Sequence, residues 1–281
     1  MRFHLMRPTL LLLTAFTFTV PAQASTTLKE PFAQSYPFTA GGTLSLKNVN
    51  GAVTVDAWDK SEARIEAEKE VKAGSAAEAK KLMAQVKIDV QQSAGGLRVE
   101  TRLPKQDDGW FSWLGGHHAN VNVRYHLHLP RAAAVTVNNT NGHIQLTGTH
   151  GKADLETTNG AVEVAGVEGD LDLDTTNGHI KANGITGTVK ADTTNGGIDL
   201  IFARVPRAGD LQAATTNGGV TVKLPRGSAL SVDAATSNGG IHSDFAIAGE
   251  NGKHRVNGTI NGGGSRLRIR TTNGGVHLVE S

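Results

Sequence analysis

The tetrapeptide Thr-Thr-Asn-Gly, or a close variant, recurs along the second half of the chain, and its spacing limits the possible folds more than any other feature. The Asn-Gly pairs are Asn141-Gly142, Asn159-Gly160, Asn177-Gly178, Asn195-Gly196, Asn217-Gly218, Asn238-Gly239 and Asn273-Gly274. The first three intervals are 18 residues each, and the next are 22, 21 and 35. A fixed period of this length implies one small structural unit, repeated and stacked on itself.

Aligning the units on Asn shows what each one buries. Three positions after it stand Ile144, Val162, Ile180, Ile198, Val220, Ile241 and Val276, all β-branched. Two further on come Leu146, Val164, Ala182, Leu200, Val222, Ser243 and Leu278, which share the same strand face by the period of two. Upstream, the columns beginning at Val135 and Val137 are equally apolar, and the residues between are mostly polar. Each unit therefore reads as two short half-buried strands joined at Asn-Gly. Asn and Gly both suit a turn, and Gly accepts positive φ without a Cβ clash. On that reading Gly178→Val is strongly destabilising.

Asn-Gly is also a strong hairpin signal, so a meander competes with a stack. The constant period favours the stack, because identical coils keep identical side chains in register. Eighteen residues at about 3.3 Å each give a perimeter of about 59 Å, which suits a narrow three-sided coil. The expected fold is all-β with one short helix, as a single-stranded β-solenoid or parallel β-helix. Thr157, Thr175, Thr193, Thr215, Thr236 and Thr271 then form one ladder and Thr158, Thr176, Thr194 and Thr216 another. Their hydroxyls and the stacked Asn amides can bond from coil to coil.

The first 24 residues are read apart from the fold. Arg2 and Arg7 precede an apolar run from Leu10 to Val20, and Ala22-Gln23-Ala24 is a small-x-small cleavage pattern. That run is 11 residues, against about 20 needed to span a bilayer. The expectation is a signal peptide over 1–24, a mature chain from Ser25, and a periplasmic, secreted or surface-associated product without a transmembrane segment. Removing Arg2 and Arg7 from the 28 basic residues leaves 26 against 26 acidic ones, so nucleic acid is not an expected partner. There is no Cys, hence no disulfide framework and no thiolate metal site.

Residues 25–57 form an N-terminal strand and a first coil, since Asn48-Val49-Asn50-Gly51-Ala52-Val53-Thr54-Val55 matches the repeat template. Residues 132–281 form the main array, and 58–131 an insert. Within the insert, 63–71 alternates as a strand and Ser75 with Glu78 forms a capping box for a helix over 76–86. Lys87 to Leu103 reads as a hairpin around Gly95-Gly96, and 120–129 as another strand. An exposed stack end needs covering, so the insert is the expected cap.

Several side chains could carry chemistry. Glu156, Asp174 and Asp192 share one column, and Asp154 and Asp172 another. Paired carboxylates cleave glycans in some proteins and bind calcium in others. These columns lapse into Lys190, Ala214 and Ala235 and occupy ordinary outward positions. His126 and His128 share a strand face, a ligand spacing with no carboxylate or third His assigned beside it, and His117-His118 lies in a loop. No metal, cofactor or catalytic residue is therefore expected. The loop Asp107 to Gly116 contains Trp110, Phe111 and Trp113, which either plug the stack end or form a binding patch.

The segment 48–55, the Thr-Thr-Asn-Gly-x-Ile/Val turns, Leu127-His128-Leu129-Pro130 and the run 262–278 together resemble the bacterial putative-adhesin family, a domain of unknown function with Asn-Gly β-solenoid repeats. The resemblance spans nearly the whole mature chain and implies a fold more than a mechanism. The expectation is a non-catalytic, exported, adhesin-like scaffold or binding protein of the cell envelope, whose partner is an envelope protein or glycan. The alternative is a carbohydrate-active enzyme or a calcium-dependent glycan binder on a β-helix.

Overall fold

The computed structural model describes residues 25–103 and 119–281, so the expected signal peptide and Trp110, Phe111 and Trp113 lie outside the described residues. Among the described residues the chain is all-β apart from one helix. The first part contains β1 (Thr26–Pro37), β2 (Thr43–Lys47), β3 (Val53–Trp58), β4 (Glu62–Ala73), α1 (Ala76–Gln85), β5 (Lys87–Ser93), β6 (Gly96–Arg102) and β7 (Asn120–Pro130). The repeats follow as strand pairs: β8 (Ala134–Asn141) with β9 (Ile144–Thr147), and β10 (Ala153–Asn159) with β11 (Val162–Ala165). Next come β12 (Leu171–Asn177) with β13 (Ile180–Ile185), β14 (Val189–Asn195) with β15 (Ile198–Phe202), and β16 (Asp210–Asn217) with β17 (Val220–Leu224). Then β18 (Leu230–Asn238) and β19 (Ile241–Ser243) precede β20 (Ala248–Asn251), β21 (Arg255–Ile260), β22 (Ser265–Asn273) and β23 (Val276–Glu280).

Each coil sends one strand to each of two facing sheets. One sheet runs β1-β4-β7-β3-β9-β11-β13-β15-β17-β23-β19, and the other β20-β21-β18-β22-β16-β14-β12-β10-β8-β2-β6-β5. Pairing within the array is parallel and in register, so Leu155 lies beside Leu173, and Thr157 beside Thr175. Antiparallel pairs close both ends, β1 on β4 and β4 on β7 at one, β21 on β18 and β20 at the other. The sheets are mixed, and the meander is excluded for the array.

The coil is two-sided, not three-sided. Length alone gives the perimeter, whereas the number of bends depends on where the chain turns. Just after β9 and β11, and at the end of β13, the chain turns back through a second glycine corner, where Gly148, Gly166 and Gly184 have φ of 75°, 61° and 77°. Thr149, Val167 and Ile185 follow them and point inward, fully buried. The apolar columns read from sequence meet between the sheets: Val135, Leu155, Leu173, Ile144, Leu146 and Ile180 are all buried.

The insert does two things. Helix α1 starts where Ser75 Oγ accepts from Glu78 N at 3.2 Å, and buries Ala79, Leu82 and Met83 against β1 and β4. The insert also supplies strands to the stack itself, because β6 pairs parallel with β2 and β7 parallel with β3. At the other end the order departs from the sequence. The last pair, β22 and β23, lies between β16–β17 and β18–β19, and the β20–β21 hairpin carries the chain around to it.

Candidate functional site

The predicted turn residues form the corner of every coil, with positive φ at Gly142, Gly160 and Gly196 but not at the asparagines themselves. Among the described residues the only non-glycine with positive φ is Asn261, so the corner asparagines have ordinary backbone. Their side chains instead form a continuous exposed ladder. Asn141 Nδ2 donates to Asn50 Oδ1 at 2.7 Å, and Asn159, Asn177, Asn195, Asn217, Asn273 and Asn238 continue it at 2.8–2.9 Å in stacking order. Gly178 is likewise not in the positive-φ region. A Cβ there would lie 1.8 Å from the Gly160 carbonyl oxygen, so close approach of adjacent coils requires the glycine.

That carbonyl has a further partner. Thr157, Thr175, Thr193, Thr215, Thr271 and Thr236 are buried and donate through Oγ1 to a corner glycine carbonyl of the preceding coil in the stack, at 2.8–3.1 Å. Towards the capped end the column changes to Asn139, Asn48 and Thr101. Asn139 Nδ2 donates to Gly51 O and Gly142 O, Asn48 Nδ2 to Val123 O, and Thr101 Oγ1 to Asn48 Oδ1. Thr101 also shares a 2.7 Å bond with the buried Tyr125 hydroxyl, whose pKa burial pushes up to about 12. Sequence reasoning missed this polar plug, although Asn48 and Asn139 occupy the Thr column once coils are aligned.

The carboxylate columns meet an ammonium. Lys190 Nζ lies 3.1 Å from Asp172, 3.3 Å from Asp192 and 3.5 Å from Asp174. Bonding to Asp172, with support from the other two, holds the Lys190 ammonium above its ordinary range. Partial burial raises Asp174, and this outweighs the attraction of Lys190. The space in which a bridging calcium would sit among these three is thus filled by an internal cation.

The groups best placed to meet an outside ligand lie at the capped end, on the outer face of the first sheet. Strand β7 turns Val123, Tyr125, Leu127 and Leu129 inward, so His126 and His128 face out. The parallel register sets Asp56 of β3 beside His128, and Asp56 Oδ2 lies 2.7 Å from His126 Nε2. The ligand atoms of Asp56, His126 and His128 all fall within 4.8 Å of one another. The two imidazole centroids are 4.3 Å apart. Trp58 stacks on His128 at 5.1 Å and 21°, and is fixed by a 2.8 Å bond from Nε1 to Glu62 O. Burial, then the neighbouring His126, lowers the His128 pKa, which favours neutral imidazole. Arg64 and Glu66 on β4 pair with each other at 2.6 Å. A shallow pocket of about 360 Å³, lined in part by Phe32, Glu66, Arg124 and His126, adjoins the cluster.

The carboxylate that sequence left unassigned to His126 and His128 is therefore Asp56. The signal was present, because β3 belongs to the Asn50 coil and Asp56 alternates outward from Val53 and Val55. What it lacked was the knowledge that β7 stacks directly on β3.

A protein of in-register coils between two sheets, with a polar ladder along one edge, is a stacked-repeat scaffold. The chain belongs to the Toastrack family, DUF4097, whose sequence model matches residues 39–208. No curated protein matches it. Among solved structures, a "putative adhesin" of Parabacteroides distasonis is similar at 14% identity and a TM-score of 0.42, over 89% of this chain and 97% of that one. A "putative adhesin" of Bacteroides fragilis is similar at 11% and 0.39, over 89% and 97%. A "putative lipid binding protein" of Parabacteroides distasonis is similar at 11% and 0.33, over 89% and 96%.

Proposed function

We propose that this chain is an exported, non-catalytic binding scaffold of the cell envelope, adhesin-like in using extended sheet faces to hold an envelope protein or glycan. The observation that supports this most is where the repeated polar groups are directed. The Asn amides bond to one another, the inner Thr hydroxyls to glycine carbonyls, and Lys190 to the facing carboxylates. The repeat chemistry is thereby used for cohesion, which leaves broad outer faces, and Asp172, Asp174 and Asp192 are engaged by Lys190. No helix among the described residues is long and apolar enough to cross a membrane. Export rests on the 1–24 segment, and an N-terminus at Ser25 in protein recovered from the host is its check.

The test is sedimentation of the mature chain with purified cell-wall sacculi and with vesicles of envelope lipid, alongside a polysaccharide panel. Saturable binding without any cleavage is expected. Glycan cleavage abolished by Asp174→Asn would overturn the scaffold reading in favour of a carbohydrate-active enzyme.

A further inference from the structure

We propose that Asp56, His126 and His128 bind a single divalent transition-metal ion of the zinc type, with one coordination position left open to an outside ligand. The inference stands independently of the scaffold reading.

The register of two strands produces the cluster. Parallel pairing of β3 with β7 puts Asp56 opposite His128, and the period of two puts His126 on the same outer face. Two borderline imidazole nitrogens and one hard carboxylate oxygen form a donor set that zinc accepts, and three protein ligands with a free fourth position is its usual open arrangement. Bonds of 2.0–2.1 Å in a tetrahedron separate ligand atoms by about 3.3 Å. The 2.7 Å Asp56–His126 contact and the 4.8 Å bound on the whole set bracket that value, so side-chain rotation alone can admit the ion.

An ordinary surface ion pair would account for Asp56 and His126 but not for the second imidazole. The two rings lie 4.3 Å apart with the carboxylate beside them, so three ligand atoms converge on one point where a cation can sit. Trp58 fixes the His128 ring and is itself anchored, which gives the site the support that metal ligands usually receive from surrounding residues. Arg64, opposite His128 in the β4–β7 register, is neutralised by Glu66 at 2.6 Å. The pair His179–Asp199, 3.0 Å apart farther along the same sheet, has two donors and serves as the internal control.

The experiment uses the mature chain, freed of any affinity tag, titrated calorimetrically with Zn²⁺ alone. The same protein carrying Trp110→Phe and Trp113→Phe makes Trp58 the sole tryptophan, whose fluorescence Ni²⁺ bound at the site should quench. One ion per chain is expected. His126→Ala, His128→Ala and Asp56→Asn should each weaken binding at least about tenfold, and His179→Ala should leave it unchanged. Urea melts check that each variant folds, and His128→Gln replaces His128→Ala if the smaller side chain unsettles Trp58. Absence of saturable Zn²⁺ binding, or one-to-one binding that survives His126→Ala with His128→Gln, would overturn the proposal.

Discussion

The side-chain amide of Asn177 donates to Asn159 Oδ1 at 2.9 Å while its own Oδ1 accepts from Asn195 at 2.9 Å. Each interior asparagine is thus donor to one coil and acceptor from the next, a role a side-chain amide fills without change of charge at any pH. Asn177→Ala removes two exposed bonds and should cost about 1 kcal/mol. Asn177→Asp should cost more at neutral pH, because a carboxylate can accept from Asn195 but turns a charged acceptor towards Asn159. A protonated carboxyl can donate again. The folded state therefore favours the neutral acid, and the excess cost of Asp should appear above the ordinary carboxylate pKa and fade below it. Urea unfolding of both variants at pH 7 and pH 3 measures the difference.

The inner Thr column makes the complementary case. Thr175 is buried, and its hydroxyl donates to Gly160 O at 2.9 Å. Thr175→Val keeps the shape and removes the donor, so a loss of about 1–2 kcal/mol is expected. Thr176 is exposed, and Thr176→Val should change stability by less than about 0.5 kcal/mol. Denaturant midpoints of the two variants separate the columns.

An ion pair between the last coil and its neighbour makes their contact acid-sensitive. Arg270 of β22 reaches Asp233 of β18, Nη2 to Oδ2 at 2.5 Å and Nη1 to Asp233 O at 2.8 Å. The Arg270 bond holds the Asp233 carboxyl below its ordinary range. A depressed carboxylate contributes stability above its unfolded pKa, and loses it as pH falls through the folded value. Asp233→Asn should therefore destabilise by about 1 kcal/mol near pH 7, a figure discounted for partial exposure. It should be nearly neutral near pH 2. Unfolding free energies of wild type and variant across that window give the result.

Much of this was legible in the residues, for reasons that particular positions make plain. The columns at Val135, Val137, Ile144 and Leu146 alternate with polar residues at a fixed 18-residue spacing, so strands, inward faces and stacking could be read together. Ser75 announced its helix because capping is local. The insertion of β22 between β16 and β18 was not legible, since a coil 35 residues after its predecessor can stack on either side of it. The second corner was obscured because Gly148 and Gly151 flank residues as different as Thr149 and His150. Asp56 stood 70 positions from His126, and only the parallel pairing of β3 with β7 joins them. The glycine at each Asn-Gly corner was read as a backbone requirement, which fits the positive φ of Gly142, Gly160 and Gly196, but at Gly178 the requirement comes from contact between coils.

That reason can be tested by comparing two alanine substitutions. A Cβ at Gly178 would lie 1.8 Å from the Gly160 carbonyl oxygen, whereas a Cβ at Gly166, with φ of 61°, meets nothing within 4 Å. If the repeat exists to bring coils into contact, Gly178→Ala should cost about 3 kcal/mol or more in equilibrium unfolding. Gly166→Ala should cost only the roughly 1–2 kcal/mol of left-handed strain. Equal losses, or a Gly178→Ala variant as stable as wild type, would contradict the account of the Asn-Gly corner as the point where coils touch.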